Sequence, residues 1–395
     1  MTRAGRVHRG AGVPPPFLPS REQEYLLRAA LWRGEEALES WHAWKAQADM
    51  DRLDTASDRL LPLVYRNLRN HHARDPAVEQ LRAHYLRTWY ANQLSFDALA
   101  QVAAAFERAG IRTMLLKGAA LTLSYYRDYG VRPMDDCDAM IPGERVAEAA
   151  QLLEDLGWTS EPPRRPSQFT GASHWFIHAW HFVNQPRQQI DLHWHLSPEC
   201  CNAQADADFW AGALAGELKQ QQVWTLGPAE QLLHVCVHGA GRFVTPSVRW
   251  VADAVMVLNR PDTVVDWTRF TELAVRHRLI QPVEQTLAYL HESMHAPVPE
   301  WVLQSLATTP TTRMERVENW IRSSPPEAEG TLAATLRWWP RVWWRHVSNV
   351  GLAPAILGLP GMLQDIWGLE NVWAVPGQAA RRVWRILRGT SQSPR

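Results

Sequence analysis

The stretch Arg132-Pro133-Met134-Asp135-Asp136-Cys137-Asp138-Ala139-Met140-Ile141 sets the reading of this chain. It reads as a β-strand, in which successive side chains point to opposite faces. Asp136 and Asp138 then share one face, and Cys137 and Ala139 the other. A second stretch, Gln189-Ile190-Asp191-Leu192-His193-Trp194-His195-Leu196, alternates in the same way. Ile190, Leu192 and Trp194 form its apolar face, while Asp191, His193 and His195 form its polar face. Asp191 is thus a third carboxylate for the same point. Three carboxylates on neighbouring strands repel one another unless a divalent cation neutralises them, and hard oxygen ligands suit Mg²⁺ or Mn²⁺. This is equipment for phosphoryl-type transfer.

Upstream, Ile111-Arg112-Thr113-Met114-Leu115-Leu116 reads as a short buried strand bounded by Gly110 and Gly118, with a helix following from about Ala119 to Tyr126. Gly118 lies between strand and helix, where backbone N–H groups can receive phosphate oxygens, and Lys117 adds a cation. Taken singly, Gly118 is a tight turn and Lys117 a solvated strand end; beside two acidic strands they read as nucleotide contacts. Downstream come a helix from Gly143 to Leu156 and a β-rich stretch from Trp175 to Leu196.

Flanking this core, the periodicity is helical. Residues 1–20, with Pro14-Pro15-Pro16, read as a flexible arm, and residues 21–110 as an N-terminal helical region. The core occupies 111–226, a helical domain 227–325, and a tryptophan-rich helical region 326–395. The apolar run from Gly351 to Leu363 is short and broken by Pro and Gly, so it fails as a membrane span and reads as a buried helix or an interfacial hairpin. The segment 378–388 is a basic amphipathic helix, whose plainer reading is a solvated helix end packed by Trp384.

The chain has 395 residues, 46% of them hydrophobic, enough for two or three packed cores and too apolar for a disordered chain. Lys plus Arg and Asp plus Glu number 41 each, so the overall balance lacks the electrostatic footprint of a dedicated nucleic-acid binder. A basic N-terminus without an apolar run behind it argues against a secretory signal and for a cytoplasmic protein. The cysteines, Cys137, Cys200, Cys201 and Cys236, form no CxxC framework, and reduced thiols are expected. Cys200 and Cys201 with His193 and His195 match no standard zinc spacing.

The combination Leu116-Lys117-Gly118, Arg132-Pro133-Met134-Asp135-Asp136-Cys137-Asp138 and Ile190-Asp191-Leu192-His193-Trp194 resembles the uncharacterised nucleotidyltransferase family of the DNA polymerase β-like superfamily. Leu232-Leu233-His234-Val235-Cys236-Val237-His238-Gly239 and Arg249-Trp250-Val251-Ala252-Asp253 look like that family's helical part. The resemblance implies an α+β fold, a small mixed sheet with helices, flanked here by N- and C-terminal helical domains. It implies that Asp136, Asp138 and Asp191 are the catalytic and metal-holding triad, with Lys117, Gly118 and Arg132 binding the nucleotide. A nucleoside monophosphate would pass from an NTP to a hydroxyl or phosphate acceptor, with Mg²⁺ or Mn²⁺ as cofactor and pyrophosphate leaving. One departure stands out: the superfamily's glycine-serine pair is Gly118-Ala119 here, so no hydroxyl is available at that step, and 18 residues lead from Gly118 to Asp136.

Asp135 falls off the Asp136 face and reads as a turn or cap residue, and His193 as a supporting residue beside Asp191. His234 and His238 share a helix face, and with Asp253 suggest packing or acceptor contacts, since the adjacent His-Asp pair of HD-type hydrolases is absent. Two other functions fit parts of the pattern: a DxD glycosyltransferase using a nucleotide-sugar, and a non-catalytic, antitoxin-like nucleotide-binding regulator. The first normally follows a long nucleotide-binding half that is missing here, and retention of all three acids speaks against the second. The acceptor, whether small molecule, peptide or protein, is not legible in the sequence; the neutral charge disfavours long nucleic acid.

Overall fold

A computed structural model describes residues 15–50, 52–71, 75–169, 172–185, 187–241, 247–324, 343–347 and 351–387. Most of the arm expected over 1–20 and much of the segment 326–350 lie outside the described residues.

Among the described residues, seven strands form one mixed sheet: β1 (Met114–Leu116), β2 (Cys137–Met140), β3 (Thr159–Glu161), β4 (Ala179–Val183), β5 (Gln189–His193), β6 (Leu214–Leu218) and β7 (Gln221–Thr225). Their spatial order is β3-β4-β5-β2-β1-β7-β6. β2 pairs parallel with β5 and antiparallel with β1, while β7 pairs parallel with β1. The expected α+β fold with a mixed sheet is therefore present.

Helices enclose this sheet. Before it come α1 (Arg21–Leu31), α2 (Gly34–Lys45), α3 (Thr55–Asp58), α4 (Leu61–Asn70), α5 (Pro76–Gln80) and α6 (Arg82–Arg108). α1 starts at a capping box in which Ser20 and Gln23 satisfy each other's backbone N–H groups. Within the sheet lie α7 (Lys117–Leu121), α8 (Val146–Asp155) and α9 (Ala203–Ala211). After it follow α10 (Pro228–Gly239), α11 (Arg249–Leu258), α12 (Trp267–Arg276), α13 (Ile280–Met294), α14 (Glu300–Thr308), α15 (Arg313–Ser323), α16 (Leu352–Ile366) and α17 (Val375–Leu387).

The alternation read from the sequence sorts the two faces of the sheet. Leu115, Cys137, Ala139, Ile190 and Leu192 belong to one apolar cluster with Phe96, Leu99, Val102 and Phe106 of α6 and with Val146, Ala149 and Leu153 of α8. Met114, Leu116 and Met140 point the other way, into a second cluster shared with α1, α4, α10, α11 and α13. Asp138 falls between Cys137 and Ala139 and therefore faces α10.

Several expectations shift. β2 begins at Cys137, so Asp136 is the residue before the strand instead of a member of it. β1 covers only Met114–Leu116, and the following helix starts two residues earlier than expected, at Lys117, continuing as a π-helical turn over Thr122–Tyr126. β5 ends at His193, so His195 is not on its polar face. The β6–β7 hairpin, absent from the sequence reading, turns at Lys219 and Gln220. Both have left-handed backbone, with φ of 45° and 72°, a turn geometry that usually announces itself as Asn-Gly.

The run 351–363 is neither a buried helix nor a hairpin: α16 is one helix containing Pro360, with Leu352, Ile356 and Leu357 exposed and Ala355 and Met362 buried. On α17, Trp384 is more than half exposed. Among the described residues, no helix is long and apolar enough to cross a membrane. All four cysteines are buried, and none of them forms a disulfide.

Candidate functional site

Parallel pairing of β2 with β5 sets Asp138 directly beside Asp191, and Leu116 of β1 pairs with Asp138 on the other side. Two residues beyond Asp191, His193 emerges on the same face, and its Nε2 lies 2.9 Å from Oδ1 of Asp138. One oxygen or nitrogen from each of Asp138, Asp191 and His193 falls within 4.8 Å of the others. Sequence reasoning gave His193 a supporting place; the structure puts it among the carboxylates. Asp191 accepts from His181 of β4, Nδ1 to Oδ1 2.8 Å, because the two are cross-strand partners.

Lys117 follows β1 directly, and its Nζ donates to Oδ1 of Asp138 at 2.5 Å. Its φ of 42° is a left-handed conformation that costs a non-glycine residue on the order of 1 kcal/mol. Burial alone would raise the Asp138 carboxyl, yet Lys117 and His193 outweigh it and hold it well below the usual carboxylate range. Asp136 lacks such a partner among the described residues: burial and the neighbouring Asp138 charge push its carboxyl up. This excess of negative charge, with hard oxygen donors and one imidazole converging, fits a small divalent cation.

Arg132 is buried and its guanidinium grips Asp253 of α11 in a bidentate pair, Nε to Oδ1 2.8 Å and Nη2 to Oδ2 2.9 Å. Tyr126 also donates to Asp253 at 2.9 Å. The remaining nitrogen, Nη1, faces Gly118, where an added Cβ would sit 2.5 Å from it and 2.5 Å from Sδ of Met134. Asp135 is largely exposed and pairs with Arg59, in keeping with a place off the Asp136 face.

Lys117, Asp136 and Asp138, but neither Asp191 nor His193, border one cavity of about 360 Å³. Its walls include Arg59, Lys117, Gly118, Arg132, Asp136 and Asp138 on the sheet side. Gln231, His234 and His238 of α10 and Arg249 of α11 close it from the helical side. α10 and α11 approach closely because Gly239 has no side chain: a Cβ there would meet Trp250 at 2.3 Å. Arg249 donates to the Pro133 carbonyl and, among the described residues, has no carboxylate partner. Burial lowers its pKa to about 9, and Arg132 adds to the effect. His234 is held well below its ordinary 6.5, first by burial and then by His238 and Lys117.

Two buried side chains on α10 stay unsatisfied among the described residues. Neither amide atom of Gln231 has a hydrogen-bond partner, nor has Nε2 of His234. Each such atom costs about 1–3 kcal/mol in a closed interior. Gln231 was missed in the sequence; its spacing of three from His234 and seven from His238 on one helix face was the available signal. Arg59 was equally invisible, because it reaches the site from α3's C-terminal end. His195 takes no part: it bonds Asp206 at 2.8 Å and the His174 carbonyl at 2.9 Å.

A search among curated proteins gives no match. Among solved structures, the chain is similar to the antibiotic-resistance factor ANT(2'')-Ia, with 14% identity over 52% of this chain and 99% of that one and a TM-score of 0.34. It is also similar to an antigenic nucleotidyltransferase-like protein from Paracoccidioides brasiliensis, with 15% identity over 55% and 94% of the two chains and a TM-score of 0.33. The sequence profile described as "Uncharacterised nucleotidyltransferase" matches residues 49–295, more than half of the chain and every residue of the cavity wall named above. The chain belongs to that uncharacterised nucleotidyltransferase family.

Proposed function

We propose that this protein is a metal-dependent nucleotidyltransferase that moves a nucleoside monophosphate from an NTP to an acceptor and releases pyrophosphate. The observation that carries this reading is the meeting of Asp138, Asp191 and His193 within 4.8 Å, beside a cavity bordered by Lys117, Arg132 and Arg249. Carboxylates for a cation and cations for a polyphosphate thus stand side by side.

Asp136, Asp138 and Asp191, with His193, would hold Mg²⁺ or Mn²⁺, which supplies charge neutralisation and polarisation of the phosphate when bound. The acceptor oxygen attacks the α-phosphorus in line, the bond from that phosphorus to the β-phosphate oxygen breaks, and pyrophosphate leaves with the electron pair. Asp191 takes the acceptor's proton. His181, 2.8 Å away, orients that carboxylate. Lys117, the Gly118 amide and Nη1 of Arg132 receive triphosphate oxygens, and Asp253 fixes Arg132 so that little reorganisation is needed. Lys117 also keeps Asp138 ionised, so the carboxylate is ready at neutral pH.

The test is calorimetric titration with each of the four NTPs, with and without Mg²⁺, for the wild type, the Asp136→Asn/Asp138→Asn double variant and Asp191→Asn. Binding of an NTP that needs both metal and carboxylates supports the reading. Absence of binding to any NTP sinks it.

A further inference from the structure

The cavity is lined by two chemically different sets of side chains. Arg59, Arg132 and Arg249 line it together with Asp253. His234 lines it as well, with Asp138 and Lys117. Gln231 precedes His234 by one helical turn and lines the same cavity. Gln231 is fully buried and His234 is 3% exposed, and their Oε1, Nε2 and imidazole Nε2 atoms are unpartnered among the described residues. These three atoms offer a donor, an acceptor and a neutral imidazole nitrogen, with no net charge.

We propose that Gln231 and His234 form the acceptor subsite, and that it takes an uncharged, hydroxylated small molecule held through a pair of adjacent hydroxyls. The inference rests on the nucleotidyltransferase reading. Each hydroxyl both donates and accepts, so a diol satisfies the amide and the imidazole together. Gln231 and His234 offer no charge to pair with a phosphorylated or carboxylated acceptor, and such an acceptor meets the carboxylate of Asp138 in the same cavity. The triphosphate belongs with Lys117, the Gly118 amide and Arg132. One hydroxyl of the pair then forms the new bond to the α-phosphorus while the bond to the β-phosphate oxygen breaks. Its proton goes to Asp191, and the electron pair leaves with pyrophosphate.

The experiment follows label from α-³²P-labelled Mg-NTP into four acceptor panels: neutral sugars and polyols, sugar phosphates, amines, and hydroxylated peptides. Wild type, Gln231→Leu and His234→Leu are compared, with NTP affinity measured separately by calorimetry. The expected result is label in neutral polyhydroxylated acceptors, a KM for them at least tenfold higher in both variants, and unchanged NTP affinity. Gln231→Leu should also melt no lower than wild type, since it removes two unsatisfied atoms. Weakened NTP binding or an altered base preference in Gln231→Leu would assign these residues to the nucleotide and overturn the inference. Label confined to phosphorylated, amine or peptide acceptors overturns it too, as does unchanged acceptor KM in both variants. If the wild type binds NTP but labels none of the panels, the inference alone fails; if it binds no NTP, the functional reading fails and takes the inference with it.

Discussion

Asp138 and Asp191 are direct partners in the parallel pairing of β2 and β5, although 53 residues separate them in the chain. That register places both carboxylates on the face toward α10, while Cys137 and Leu192 turn into the opposite core. Asp138 is nearly inaccessible and locked to Lys117, whereas Asp191 is half-buried and bonded only to His181 among the described residues. The two are therefore not equivalent targets.

Asp191→Asn should separate chemistry from folding. We expect NTP turnover to fall about 10²–10⁴-fold, the range for loss of a positioned proton acceptor. The melting temperature should stay near the wild-type value, because the side chain is not fully buried. Pyrophosphate release and a thermal melt on the same samples check both. Chelating divalent ions should abolish wild-type turnover, and Mg²⁺ or Mn²⁺ should restore it.

Asp253→Asn should damage the fold instead. It strands the buried Arg132 guanidinium beside Arg249, and breaking one partner of such a pair costs about 3–5 kcal/mol. The double variant Arg132→Met/Asp253→Leu should recover much of that loss while still binding NTP poorly. Urea unfolding distinguishes the two; equal stability of Asp253→Asn and wild type would contradict the account.

Gly118→Ala adds a methyl group 2.5 Å from Nη1 of Arg132 and Sδ of Met134. Met134 is flexible, but Arg132 is pinned by Asp253, so the backbone at Gly118 or the arginine must give way. NTP affinity should drop about tenfold, equivalent to ~1.4 kcal/mol. A calorimetric Kd unchanged by the substitution would remove Gly118 from the nucleotide site.

Acid should weaken the protein through His234. Its folded pKa lies well below the ordinary 6.5, so below pH 6.5 the unfolded chain takes up a proton that the native imidazole refuses. This contribution is fully present above pH 6.5 and is lost as the pH falls, at up to about 1.4 kcal/mol per pH unit. The urea midpoint of His234→Gln should depend less steeply on pH between about 7 and 5 than that of the wild type. Equal slopes would show that His234 is not the titrating group.

The alternation of Asp138 with Cys137 and Ala139, and of Asp191 with Ile190 and Leu192, is a local property of extended chain, and it was legible because a strand's period of two needs no partner to be read. The helix expected from Gly143 to Leu156 was legible for the corresponding reason, its apolar spacing, and is present as α8, Val146–Asp155. The β6–β7 hairpin was not, because Lys219 and Gln220 adopt left-handed backbone without the residues that normally favour it.

Residue order alone establishes which side chains carry charge at strand spacing and, through its motifs, the family to which the chain belongs. Which of those charges meet is a product of packing. Arg132 with Asp253 and Arg59 with Asp135 are matches across 121 and 76 residues, set by strand register and helix packing that no local period encodes. The same holds for the unsatisfied face of α10. Gln231 and His234 are ordinary polar residues of a helix until the fold buries them opposite the carboxylates, and only then does their lack of partners among the described residues acquire chemical meaning.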